Sequence, residues 1–331
     1  MKKVFACLLA VCMVLPAMAG CSQPQEATVV RLSEVTHSVF YAPQYVAISQ
    51  GFFADEGLTV ELSNGGGADK VMTAVVSGQA DIGLAGPEAS IYVAQQGKED
   101  PPVIFAQLTR RDGSFLVGRS DGPFRWEDLR GSTIIGGRAG GVPEMTLEYV
   151  LRQHGLTPGE DVTVDTSVQF NMMAGAFTGG GGDYVTLFEP TASAFAAQGK
   201  GHIVTNMGLE SGEVPYTTFM MRKDTIENEP GFAAAFVRAI YRGQKWVWAA
   251  GDEEVAYAMQ SYFPDTDIAT LSAVAKSYRA TDSWTRVPTM TEDAFTRLQD
   301  ILDGAGELAA RIELSELVDN SFGEAAISEI G

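Results

Sequence analysis

The chain has 331 residues, with 23 Lys+Arg against 42 Asp+Glu and a formal net charge of −19. So acidic a surface excludes nucleic acid as a partner, because phosphates are met by basic patches, and it excludes adhesion to anionic lipid through a polybasic face. Hydrophobic residues make up 45% and aromatics 9%, enough to build cores in two ordinary domains and to exclude disorder over most of the length.

The first element is a leader. All three cysteines fall at its positions 7, 12 and 21. Lys2 and Lys3 precede an apolar run over residues 4–19, too short for an ordinary transmembrane span and suited to the h-region of a secretory signal. Met18-Ala19-Gly20-Cys21 looks like a bacterial lipobox, in which small residues precede a cysteine that becomes the lipidated N-terminus. Ordinary cleavage near Ala19, leaving Cys21 a free thiol, is the alternative. Cleavage before Cys21 removes two lysines, takes the charge to −21 and leaves no second cysteine, so no intramolecular disulfide can form. Residues 1–20 are read as signal peptide and 21–28 as a lipidated tether, which puts the body on the extracytoplasmic face of a bacterial membrane.

From residue 29 short β-rich runs alternate with helical patterns, the mark of α/β construction. Strands are predicted at 29–35, 58–62, 80–85 and 103–108, with helices at 43–54, 69–77 and 90–96 between them. A second series places strands at 132–135, 162–165, 184–188 and 202–205 and helices at 144–154, 172–177 and 191–198. A last strand, 216–221, is followed by helical patterns at 232–249, 253–262, 294–302 and 307–312. This order gives two α/β lobes, with the C-terminal helices returning to the first, and crossings near 113–119 and 213–222. Lobe 1 takes 29–115 and 220–331, and lobe 2 takes 116–219.

Four predicted strands run into a proline that opens a helix: Pro43, Pro87, Pro143 and Pro190. Proline suits a first helical turn, where its missing N–H breaks no bond. The carboxyl ends of parallel strands lie on one edge, the edge where open α/β sheets bind ligands, and the helix starts there present unpaired N–H groups. Two such edges facing each other make a cleft. Gly140-Gly141 removes side chains where a backbone must approach closely, whereas the run at 179–182 reads as a turn and 65–67 fits either role. Glu88, Glu144 and Glu189 stand beside these prolines, either meeting ligand donors or complementing the helix dipole. With Arg138 the only basic residue in the junctions, the pocket reads as richer in carboxylates than arginines and favours a cationic or donor-rich ligand.

Catalytic constellations do not stand out. Of three histidines, His154 and His202 read as structural and His37 lies in the first cleft loop. The sequence has no HExxH, no G-x-S-x-G elbow, no Walker lysine motif and no S-x-x-K pair, and beyond Cys21 it has no thiol for catalysis or zinc. No enzyme, metal or cofactor is expected.

The segment Tyr41-Ala42-Pro43-Gln44-Tyr45-Val46-Ala47, followed by Gln50-Gly51-Phe52-Phe53-Ala54-Asp55-Glu56-Gly57-Leu58, resembles the nitrate/sulfonate/taurine and thiamine-pyrimidine-precursor family of ABC-transporter substrate-binding proteins. Ser77-Gly78-Gln79-Ala80-Asp81-Ile82-Gly83, Asp128-Leu129-Arg130-Gly131, Phe188-Glu189-Pro190 and Gly212-Glu213-Val214-Pro215-Tyr216 extend the likeness. The resemblance implies a type-II periplasmic-binding-protein fold, a small ligand held between lobes joined by a two-segment hinge, a monomer, and delivery to a permease driven by an ATPase. It also implies that Thr36, His37, Phe40 and Tyr41 form the first ligand loop and Gly86 with Glu88 the second. Gly140, Gly141 and Glu144 would form the helix start in the other lobe, with Glu189 and Tyr216 completing the site. The acidic, aromatic site favours a pyrimidine-like or other nitrogen heterocycle. A sulfonate or nitrate receptor, a protein that presents ligand to a sensor, and an enzyme like the pyrimidine synthase branch are the alternatives.

Overall fold

A computed structural model describes residues 27–97 and 100–331. The leader and Cys21, with the processing expected of them, lie outside the described residues. Among the described residues no helix is long and apolar enough to cross a membrane.

In chain order the strands are β1 (Thr28–Glu34), β2 (Leu58–Asn64), β3 (Ile82–Ala85), β4 (Val103–Thr109), β5 (Ser114–Gly118), β6 (Thr133–Ile135), β7 (Thr163–Asp165), β8 (Tyr184–Phe188), β9 (His202–Asn206) and β10 (Thr217–Met221). They form two five-stranded sheets, ordered β2-β1-β3-β10-β4 and β7-β6-β8-β5-β9. In the first sheet β10 is antiparallel to both neighbours, and in the second β5 is. The other four strands of each sheet therefore share one direction, and each antiparallel strand is contributed by a chain segment arriving from the opposite lobe. The connecting passages, residues 110–113 and 207–216, run side by side, with the Val214 N–H donating to the Arg110 carbonyl at 2.9 Å.

Local chemistry accounts for most elements and for the departures from expectation. The helix expected over 43–54 is two, Ala42–Ser49 and Phe52–Asp55, because Gly51 takes a left-handed φ of 76° between them. Pro43 and Pro143 sit in the first turns of their helices, as expected, while Pro87 and Pro190 stand one place earlier, at the N-cap. Part of the expected crossing at 113–119 is the fully buried strand β5, whose Phe-Leu-Val run needs a sheet to cover it. The pattern at 307–312 is a loop, and a helix absent from the expectation, Ile268–Ala280, starts where Asp267 accepts from the Thr270 N–H at 2.9 Å.

One large apolar core holds the first sheet and the C-terminal helices together, while two smaller ones cover the opposite faces of the second sheet. The helix Pro230–Ala249 lies close on Ala42–Ser49: a Cβ on Gly243 would come within 2.4 Å of the Pro43 carbonyl, so that crossing admits only glycine. The C-terminal chain also reaches the cleft, where Trp284, fully buried, donates its indole N–H to the Phe40 carbonyl at 2.9 Å.

Candidate functional site

The carboxyl ends of β1, β3, β6 and β8 run into helix starts that enclose two adjoining cavities, of about 470 and 270 Å³. Of the eleven residues expected in a site, Thr36, Phe40, Tyr41, Gly86, Glu88, Gly141 and Tyr216 line the larger cavity. Thr36, His37 and Glu189 line the smaller, and Gly140 and Glu144 line neither.

The floor is aromatic and draws on both lobes. Phe40 meets Phe188 at 5.7 Å, Tyr216 at 5.9 Å and Tyr278 at 4.8 Å between ring centroids. It also lies against the first passage, where a Cβ on Gly113 would sit 2.6 Å from its ring. Beside this floor the Tyr216 hydroxyl and Glu88 Oε2 are buried without a hydrogen-bond partner among the described residues. Burial pushes the Glu88 carboxyl up to about 7, against the pull of its helix-start N–H groups and of Arg138. Burial likewise raises Tyr216 well above its ordinary range, with the nearby carboxylate of Asp112 adding to it. Asp112, in the passage and fully buried, is itself pushed up to about 6 by burial.

His37 is held rather than free. Its Nδ1 faces Glu34 Oε1 at 2.6 Å, its Nε2 faces the Tyr262 carbonyl at 2.8 Å, and its ring stacks on Phe263 at 4.6 Å. With an acceptor at each nitrogen the imidazolium is favoured, and the Glu34 hydrogen bond raises the pKa against the opposing effect of burial. Glu34 is buried and also accepts from the Gln44 amide at 3.0 Å and the Tyr45 hydroxyl at 2.8 Å.

The other two junction glutamates are occupied. Glu144 Oε2 accepts the Gly140 N–H at 3.1 Å, and burial, with Glu148 nearby, raises it to about 7. Glu189 accepts from the Ser193 N–H at 3.0 Å, the Ser193 hydroxyl at 2.8 Å and the Ser277 hydroxyl at 3.1 Å. The carboxylate surplus read from the junctions is thus absent from the larger cavity, which Glu88 shares with Arg138 and Lys70. Sequence reasoning missed Lys70, the 169–171 segment with its exposed Phe170, and Thr186 and Thr217 on the strands. The undecided glycines at 65–67 do reach the cavity, through Gly66 and Gly67 with φ of 68° and 146°. Among the described residues no group of three His, Cys, Asp or Glu could hold a metal ion.

Comparison with known proteins agrees with this geometry. The profile of the family described as NMT1/THI5 like matches residues 39–254. The putative binding protein YtlA of Bacillus subtilis (strain 168) is 43% identical over 326 residues, covering 98% of this chain and 97% of that one. The alkanesulfonate-binding protein SsuA of Xanthomonas axonopodis pv. citri, solved with MOPS bound, superposes with a TM-score of 0.71 at 15% identity, over 89% of this chain and 99% of that one. The periplasmic nitrate-binding protein NrtA of Synechocystis PCC 6803 gives 0.71 at 17% identity, over 92% and 89%. These likenesses show the two-lobed periplasmic-binding-protein fold. The family profile spans well over half of the sequence and the Bacillus relative nearly all of it, so the chain belongs to the NMT1/THI5-like family.

Proposed function

We propose that the protein is the extracytoplasmic receptor of an ABC importer, which takes a small organic solute into the inter-lobe cleft and delivers it to a permease driven by an ATPase. The observation that carries this reading is the cavity of about 470 Å³, lined from both lobes, whose lining includes the buried Glu88 with a carboxyl oxygen that has no hydrogen-bond partner among the described residues. Unmatched buried polar groups cost stability, and a ligand that supplies the missing bonds recovers it. The Bacillus relative is named as a binding protein, which supports the same reading. Lipid attachment at Cys21 rests on the lipobox, and lobe movement about residues 110–113 and 207–216 rests on the two passages. Ligand contacts made to both lobes would favour a closed form.

Among solutes, a nitrogen heterocycle of pyrimidine size fits the site. Tyr41, Phe188 and Tyr216 offer aromatic surface, and Glu88 accepts a ring-amine donor. A bare nitrate would leave most of this volume unfilled. The test is native mass spectrometry of the purified protein for a co-purified solute, with a thermal-shift panel of aminopyrimidines, amino acids, amines, aliphatic sulfonates and nitrate. Stabilisation by several degrees with an aminopyrimidine is expected. A response only to sulfonate or nitrate would replace the heterocycle reading, and no bound mass with no response would overturn the receptor reading.

A further inference from the structure

The chain is strongly acidic, yet two cations that line the larger cavity stand without partners. Arg138 and Lys70 make no ion pair within 4.0 Å and no side-chain hydrogen bond among the described residues. The other described arginines each find a carboxylate or a carbonyl, as Arg119 does at Gly182 and Arg297 at Glu213. The two cations come from opposite lobes, and each stands at the start of a helix. Lys70 Nζ lies 3.8 Å from where a Cβ on Gly66 would be, beside the start of Ala68–Val76. Arg138 Nη2 lies 3.7 Å from the corresponding point on Gly141, beside the start of Val142–Gln153. Glycine caps both helices, Gly67 and Gly141, so neither cap residue has a side chain, and Asp69 and Glu144 are the acids of the two first turns.

A second, independent observation stands in the same cavity. The Glu88 side chain, which lines it, is 3% exposed, and its Oε2 has no hydrogen-bond partner among the described residues. A purely cationic ligand would answer Glu88 and leave Lys70 and Arg138 facing it unneutralised, whereas a simple anion would answer the cations and leave Glu88 unmatched. We infer that the ligand is amphoteric: besides donors for Glu88 it carries an anionic group, a carboxylate, phosphate or sulfonate, seated between Lys70 of one lobe and Arg138 of the other. Because the two cations belong to different lobes, the anion also draws the lobes together.

This deepens the receptor reading and rests on it for the cavity alone, so the test separates the two. Titration calorimetry on the full chain compares 4-aminopyrimidine with 4-aminopyrimidine-5-carboxylate. In parallel, unfolding temperature is compared in sodium phosphate and sodium chloride of equal ionic strength. Both are repeated with Lys70→Gln and Arg138→Gln, at exposed positions where substitution spares the fold. The carboxylate is expected to bind at least about tenfold tighter than the neutral probe, phosphate to protect by several degrees, and both gains to fall away in either variant. Phosphate protection through the two cations with neither pyrimidine bound would leave the anion seat standing and remove the heterocycle. Equal or weaker binding of the carboxylate, phosphate no better than chloride, or gains that persist in both variants would overturn the inference.

Discussion

Two junctions at the cleft put a glutamate and a proline side by side after a buried strand, and their carboxyls meet different fates. After β3 the order is Pro87-Glu88. Glu88 opens its helix, and its carboxyl folds back over Gly86, where a Cβ would lie 2.0 Å from Oε2. After β8 the order is Glu189-Pro190. That carboxylate precedes the helix and reaches forward over its first turn to Ser193, then across to Ser277 on the C-terminal helix. Glu189, before its proline, satisfies an orphan N–H of its helix start, and Glu88, after its proline, keeps an oxygen without a partner among the described residues. The first holds structure together, and the second is kept for something that arrives.

The largest effect should come from removing the satisfied member. Glu189→Ala deletes a buried acceptor of three hydrogen bonds and orphans the groups that donated them, which should cost about 3 kcal/mol. Denaturant unfolding should show this loss while affinity for a cleft ligand stays within about threefold. A large fall in affinity at unchanged stability would reverse the roles drawn from the comparison.

Glu88→Gln should act in the opposite sense. The Glu88 carboxyl is raised from an ordinary value of 4.5 to about 7, so the folded state favours the protonated form. The associated stability is present in full below about 4.5 and is lost as pH rises through about 7, leaving a buried charge that costs about 3 kcal/mol at pH 8. The amide should therefore be more stable than wild type at pH 8, equal to it at pH 4, and at least about tenfold weaker for a ligand that donates to this position. Asp112, raised to about 6, and Glu144, raised to about 7, share the direction, so both proteins should lose stability from pH 5 to 8, the wild type more steeply. Parallel pH profiles would show that Glu88 is satisfied in solution.

The comparison also marks what a sequence reveals. Glycine and proline punctuation is local, so the strand ends, the helix starts and the cleft edge they define could be read directly from positions such as Pro43 and Pro143. Whether a carboxyl is satisfied there is not local: the partners of Glu189 include Ser277, 88 residues on, in a helix that the sequence reading passed over. Lys70 was invisible for another reason, since a lone lysine on an exposed helical turn is normally a solvated residue. Phe170 sits in a three-residue 3-10 turn, Phe170–Met172, too short to carry a period. Strand β5 was hidden because a three-residue apolar run between glycines reads equally well as a passage between lobes.

A third strand-end carboxylate, Glu34 of β1, lies between the two extremes and gives the smallest test. It is buried like Glu88 but satisfied like Glu189, by Gln44, Tyr45 and His37. Only the last of these partners titrates near neutrality. Because the Glu34 hydrogen bond raises the His37 pKa above 6.5, the contact contributes fully below about pH 6.5 and is lost as pH rises through the folded value. The His37 side chain is 37% exposed, so water screens the pair and the contribution should stay under about 1 kcal/mol. His37→Gln should thus be slightly less stable than wild type at pH 6 and indistinguishable from it at pH 9. Proton NMR of the His37 ring should place its titration above 6.5. Titration at or below that value would mean that Gln44 and Tyr45 satisfy Glu34 without the imidazolium, moving Glu34 beside Glu189 as a carboxylate held by neutral donors.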